Sequence, residues 1–156
     1  DYGTRNPFSC GLWAFDGKTA TRIDEVYYDS RENEKRLDDE HLYELLEKIA
    51  GNYPVTRIII DPSAASFIEC VKTHGQYICK AADNHVLDGI RIVTTFLNKR
   101  RLFIYKECKN CIKEFGMYAW NDKGNNEEPV KESDHAMDDT RYYCKTFLQK
   151  RLRWKY

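Results

Sequence analysis

Acidic side chains stand at three places in this 156-residue chain where packing does not call for them. The first is Asp1, at the head of Asp1-Tyr2-Gly3-Thr4. Asp-x-Gly-Thr at a strand end suits a backbone that must approach phosphate or metal closely. The second is Asp61, directly behind the β-branched run Ile58-Ile59-Ile60. Such a run predicts a central strand covered on both faces; Pro62 bars its continuation, and Ser63 can cap a following helix. Ligands bind at the carboxyl ends of strands in open α/β sheets, so Asp61 stands where a catalytic or metal-binding carboxylate belongs. It equally suits the turn into the next helix. The third place is Ser133-Asp134-His135-Ala136-Met137-Asp138-Asp139. Helix neighbours lie three and four residues apart, which sets His135 beside both Asp138 and Asp139. A His and a carboxylate on one face can hold a hard divalent cation or position a water. The same residues also make a capped, acidic first turn that the helix dipole favours.

Basic residues cluster at Lys99-Arg100-Arg101 and in the tail Lys150-Arg151-Leu152-Arg153-Trp154-Lys155-Tyr156. Both are candidates for phosphate contacts, the tail with aromatics interleaved, and both also read as solvated helix ends. Lys+Arg 25 and Asp+Glu 25 cancel, so net charge itself points to no nucleic-acid partner.

The six cysteines are Cys10, Cys70, Cys79, Cys108, Cys111 and Cys144. A chain of this length buries a core without disulfide staples, and reduced thiols are expected. Cys108 and Cys111 have C-x2-C spacing, but no second pair completes a structural zinc site, and they fall in a helical pattern as core residues. No apolar run reaches membrane-spanning length and no secretory h-region is present, so no membrane partner is expected.

The elements that must position these residues follow from periodicity. Phe8 to Phe15 reads as a strand, with Phe8, Cys10, Leu12 and Ala14 on one face and Trp13 and Phe15 on the other. Asp16-Gly17 is a two-residue hairpin signal, and a strand returns through Ile23 to Tyr28. Leu37, Leu42, Leu45, Leu46 and Ile49 form a helical stripe that stops at Gly51. After the Ile58–Asp61 strand, Phe67, Ile68 and Val71 face inward from a helix ending near Gly75. Tyr77 to Cys79 is a short strand, and Asp83 can cap a helix whose Val86, Ile90, Val93 and Leu97 share a face. Leu102 to Ile104 is another strand. Cys108, Cys111, Ile112, Phe115 and Ala119 make one more helical face. Asn121 to Pro129 is a loop, and Ser133 can cap the last helix, through Tyr142, Tyr143 and Phe147. The fold expected is a mixed α/β sheet, an antiparallel hairpin followed by parallel strands with helices on both faces.

Asp at the first strand, Asp at the end of the central strand and His-x-x-Asp on the last helix is the order of a ribonuclease-H-like metal nuclease. The chain as a whole resembles the C-terminal nuclease domain of the large terminase subunit of tailed bacteriophages. The resemblance rests on Asp1-Tyr2-Gly3-Thr4-Arg5-Asn6-Pro7, Ile60-Asp61-Pro62-Ser63-Ala64, Ala82-Asp83-Asn84 with Val86 and Gly89-Ile90, Tyr118-Ala119-Trp120, and Asp134-His135-Ala136-Met137-Asp138. These span nearly all of the chain. The resemblance implies a two-metal endonuclease that cuts concatemeric viral double-stranded DNA during genome packaging. Asp1, Asp61 and Asp138 would hold two Mg²⁺ or Mn²⁺ ions, with His135 as ligand or proton-handling residue. Asp139 stands where the family pattern has a small apolar residue, so it too is carried as a candidate third ligand. Three clustered carboxylates repel one another without such ions.

The resemblance also implies partners: DNA, the small terminase subunit, the portal protein, and an ATPase domain elsewhere in the parent chain, all in the cytoplasm of a bacterial host. Residues 1–156 are expected to be one nuclease domain, a fragment of that longer protein, because the chain opens at Asp1 without Met. It has no G-x-x-x-x-G-K-[ST] loop, so ATP hydrolysis is not expected of it. Three other readings stand beside this one. A junction-resolvase type of nuclease shares the chemistry. A sugar-kinase-like or actin-like lobe shares Asp-x-Gly-Thr but needs a second lobe. A non-catalytic docking module would carry the acidic residues as a solvated face.

Overall fold

An antiparallel hairpin opens the chain, β1 (Phe8–Phe15) against β2 (Ala20–Tyr28), in register from Phe8↔Tyr28 to Phe15↔Ala20 with a bulge at Leu12/Trp13. The structure is a computed structural model that describes residues 1–3, 6–118, 129–130 and 132–152. The hairpin loop runs from Asp16 to Thr19 rather than through a two-residue turn. The Asp16 carboxylate accepts from the amides of Lys18 (2.8 Å) and Thr19 (2.7 Å) and so closes the longer loop. Gly17 takes φ 92°, a left-handed conformation that favours glycine.

A helix, α1 (Asp39–Ala50), and three β/α steps follow: β3 (Arg57–Ile60) and α2 (Ala65–His74), β4 (Ile78–Ala81) and α3 (Val86–Asn98), β5 (Leu102–Ile104) and α4 (Lys109–Met117). The last helix, α5 (His135–Tyr143), continues into a π-helical segment (Cys144–Leu148) and a final turn, α6 (Gln149–Arg151). Strand β5 runs parallel to β2 and β4 parallel to β3. Hydrogen bonds thus divide the strands into β1-β2-β5 and β3-β4, among the described residues. A cavity of about 690 Å³ lies between β1 and β3 and is lined along both strands.

Helices cover both faces, as the sequence predicts. Ile58 and Ile60 of β3 pack into a core with Leu42, Tyr43 and Leu46 of α1 and Phe67 and Val71 of α2. Ile59 points the other way, to Val93 and Phe96 of α3 and Cys144 and Leu148. Burying each large apolar side chain of this kind stabilises the fold by roughly 1.5–3 kcal/mol. On β1, Phe8 and Cys10 join the first core and Trp13 and Phe15 the second. Trp13 stacks on Tyr143 at 4.2 Å. The bulge leaves Ala14 exposed instead of inward.

Two helix faces differ from the periodicity. In α3 the inward residues are Gly89, Val93 and Phe96, and Leu97 is 37% exposed. Gly89 rotates that face toward α5, since a Cβ there would come 3.2 Å from Cβ of Arg141. In α4, Ile112 is 45% exposed and Glu114 is buried instead. Cys108 and Cys111 are buried free thiols that pack with Ala136 and Met137, as core residues should. Ala119, Trp120 and the loop expected over 121–129 lie outside the described residues, apart from Pro129. No described helix is long and apolar enough to cross a membrane.

Candidate active site

Residue Asp1 lies alongside the start of β1. Its carbonyl accepts from the Ser9 amide at 2.9 Å, and its ammonium group donates back to the Ser9 carbonyl. Tyr2 anchors the segment by stacking on Phe67 and donating to Asp39 Oδ1 at 2.8 Å. The Asp1 side chain then meets α5, where His135 Nδ1 is 2.7 Å from Asp1 Oδ2. This contact joins the first candidate residue to the helix that carries the last acidic ones, across 134 positions of the chain.

Asp61 ends β3 and does two things at once. One oxygen accepts from the Ser63 amide at 2.7 Å and shapes the turn into α2; the other accepts from the Tyr142 hydroxyl at 2.6 Å. Partial burial opposes its ionisation, but hydrogen bonds from Tyr142, Ser63 and Asn84 outweigh it and hold the carboxyl below its ordinary pKa. Tyr142 is pushed up in turn, first by burial and then by its bond to Asp61, with the charge of Asp138 adding to this. Asp1 and Asp61 both open onto the cavity between β1 and β3.

Asp138 and Asp139 part company. Asp138 pairs with Arg141 one turn on. Burial raises its carboxyl despite that guanidinium, and the Asp1 ammonium lies close enough to oppose the rise. Asp139 turns inward, where it accepts from Ser9 Oγ and from both terminal nitrogens of Arg22. Arg22 is fully buried and passes beneath Gly11, where a Cβ would strike its guanidinium. The oxygens of Asp139 are therefore committed to a buried ion pair, although the residue lines the cavity with Asp1 and Asp61, and Asp138 is held by Arg141.

Several residues that position the site carry little sequence signal. Glu114 of α4 is buried and accepts from Tyr27 (2.6 Å) and from the amides of Ala136 (2.6 Å) and Met137 (3.2 Å). It caps the first turn of α5 from another helix, and burial raises its carboxyl. Glu25 does the same for α4 through the amides of Asn110 and Cys111. Ser133 makes no cap bond, and Asp134 stands at the N-cap without one. Ser63 and Asp83 likewise do not cap; Ala64 and His85 hold those positions. Asp83 instead meets His85 (2.7 Å) and Lys145 (2.9 Å), which hold its carboxyl down to about 2.

The basic candidates do not join this cluster. Lys99, Arg100 and Arg101 form the turn into β5, and the Arg101 carbonyl accepts from Ala20. Ala20 pairs with Phe15, while Asp1 pairs with Ser9, so the two groups stand about 20 Å apart along the ladder. Arg151 borders the cavity and lies over Phe147, Lys150 is exposed, and Arg153 is outside the described residues.

Three carboxylates and an imidazole form a hard donor set that fits Mg²⁺ or Mn²⁺. Each carboxylate has its own protein partner here: His135 for Asp1, Tyr142 for Asp61 and Arg141 for Asp138. Their oxygens are spread around the site, and they do not form a group within 4.8 Å of one another.

Neither a protein-family model nor a curated protein sequence matches the chain. Solved structures do. The large terminase of a thermophilic bacteriophage, solved with ADP, is 38% identical with a TM-score of 0.90 and matches 95% of this chain. The chain spans 38% of that protein's length. The large terminase nuclease domain of bacteriophage SPP1, with bound Mn, aligns at TM-score 0.66 and 21% identity over 90% of this chain and 78% of its own. The P22 large terminase nuclease domain aligns at TM-score 0.68 and 14% identity over 96% and 78%.

Proposed function

From a chain with the ribonuclease-H-like nuclease-domain fold of the large terminases, we propose a metal-dependent endonuclease that cuts concatemeric viral double-stranded DNA during genome packaging. The observation that carries this reading is that α5 meets both other candidates, His135 at Asp1 and Tyr142 at Asp61, and carries Asp138 between them.

Asp1, Asp61 and Asp138 would hold Mg²⁺ or Mn²⁺ ions, two on the family pattern. Such ions polarise the phosphodiester and lower the pKa of a water. The chain's own groups do the rest. His135 Nδ1 stands against Asp1 Oδ2 and can carry a proton to or from it. Tyr142 fixes the rotamer of Asp61 and holds it ionised. Burial raises the Asp138 carboxyl, and Arg141 partly offsets that rise. Lys99, Arg100, Arg101, Lys150, Arg151 and Arg153 are proposed as phosphate contacts, with the Lys99–Arg101 turn about a duplex width from Asp1. On the same reading the chain works beside an ATPase domain of its parent protein, the small terminase subunit and the portal protein, in the cytoplasm of the bacterial host.

The test is nicking of supercoiled plasmid with Mn²⁺, with Mg²⁺ and with chelator, beside Asp61→Ala and Asp138→Ala. Metal-dependent nicking lost in both variants is expected. Cutting that survives both substitutions overturns the assignment.

A further inference from the structure

Away from the carboxylate site, Glu40, Cys70 and His74 bring three metal-ligating atoms within 4.8 Å of one another, as no other group among the described residues does. We propose that these residues form a second metal site, for a borderline divalent cation of the zinc class, that joins α1 to α2. Cys70 and His74 are four apart on α2 and share one face near its C-terminal end. Glu40 reaches them from the first turn of α1. His74 Nε2 lies 2.8 Å from Glu40 Oε2, and Cys70 Sγ lies 3.4 Å from Glu40 Oε1.

The donor set decides the metal. One sulfur, one imidazole and one carboxylate make a three-ligand zinc site completed by water. The all-oxygen ligands at Asp1, Asp61 and Asp138 select a harder ion. The imidazole is also held in place. His74 stacks flat on Tyr43, with ring centroids 3.8 Å apart and planes 4° from parallel, and this turns its Nε2 edge to Glu40. Asp38 and Asp39 add negative charge that acts on Cys70, a field that concentrates cations. The site adjoins the anchor of Tyr2, whose hydroxyl meets Asp39 of α1 and Ser66 of α2 and whose ring stacks on Phe67. A metal bridging α1 and α2 therefore steadies the segment that carries Asp1.

The probe is Co²⁺ titrated into the intact, chelator-stripped chain and followed by absorption. One equivalent is expected to give the thiolate-to-cobalt charge-transfer band and the visible bands of a tetrahedral ion, and Zn²⁺ is expected to displace it. Cys70→Ser loses the charge-transfer band, and His74→Gln weakens binding. The double variant Asp61→Ala/Asp138→Ala keeps the band, which separates this site from the nuclease reading. Zn²⁺ raises Tm in the wild type and not in Cys70→Ser. Absence of the band from the intact chain overturns the proposal and leaves Glu40 and His74 a plain hydrogen-bonded pair. A band that persists in Cys70→Ser overturns it too, since the ion then sits on another cysteine.

Discussion

Two adjacent aspartates on α5 illustrate how one residue's step around a helix changes its work. Asp138 stays at the edge of the site beside Arg141, whereas Asp139 is sunk against Arg22 and Ser9. Removing one partner from a buried ion pair leaves the other uncompensated, at a cost of roughly 3–5 kcal/mol. Asp139→Asn is therefore expected to lower the urea unfolding free energy by about that amount. Asp138→Asn keeps an acceptor for Arg141 at a less buried position and is expected to shift it less while abolishing nicking. Asp83 supplies a pH signature. Its carboxyl is held down to about 2 by His85 and then Lys145. A depressed carboxylate stabilises the fold above its unfolded pKa, near 3.9, and that contribution is lost as pH falls toward 2. The difference in Tm between wild type and Asp83→Asn should be open at neutral pH and close across that acidic window.

Elements were legible where apolar periodicity made them and obscure where remote side chains finished them. The order of hairpin, strands and helices follows from runs such as Ile58-Ile59-Ile60 and the stripe Leu42, Leu46, Ile49. The caps do not. Ser63, Asp83 and Ser133 have the right residue type two or three places before a helix start, yet α2, α3 and α5 begin without a side-chain cap bond of their own. Glu114, 22 positions before Ala136, takes the first-turn amides of α5, and Glu25 takes those of α4. Nothing local in the sequence marks these pairings. Asp1, Asp61, His135 and Asp138 stand out as candidates in the sequence because each lies at an element's end or on a helix face, and the structure sets Asp1 against His135 and Asp61 against Tyr142. Tyr142, Asn84 and Arg141 do not stand out, since their roles come from tertiary contacts. Glu114→Gln keeps one oxygen for three donors and is expected to destabilise α5 by about 1–3 kcal/mol. Guanidinium denaturation and faster amide exchange at Ala136 and Met137 would register it.

At the scale of the whole molecule, the gap between β1 and β3 sets local stability. Strand β1 bonds to β2 along its length but on the other side only to Asp1, and β3 bonds only to β4, among the described residues. Amides turned into the cavity lack the protection of a ladder. Hydrogen exchange should be faster at those amides of β1 and β3 than at the β1–β2 and β3–β4 ladder amides, and equal protection would mean that the two sheets join in solution.

The same gap has a consequence for the spacing of the candidate carboxylates as well as for stability. Two strand edges face each other across it, each with free donors and acceptors, and the Asp1–Ser9 pair already begins an antiparallel ladder at its mouth. Asp1 is held to β1 and Asp61 follows the end of β3, so the spacing of these two carboxylates is set by the width of the gap and not by a hydrogen-bonded ladder.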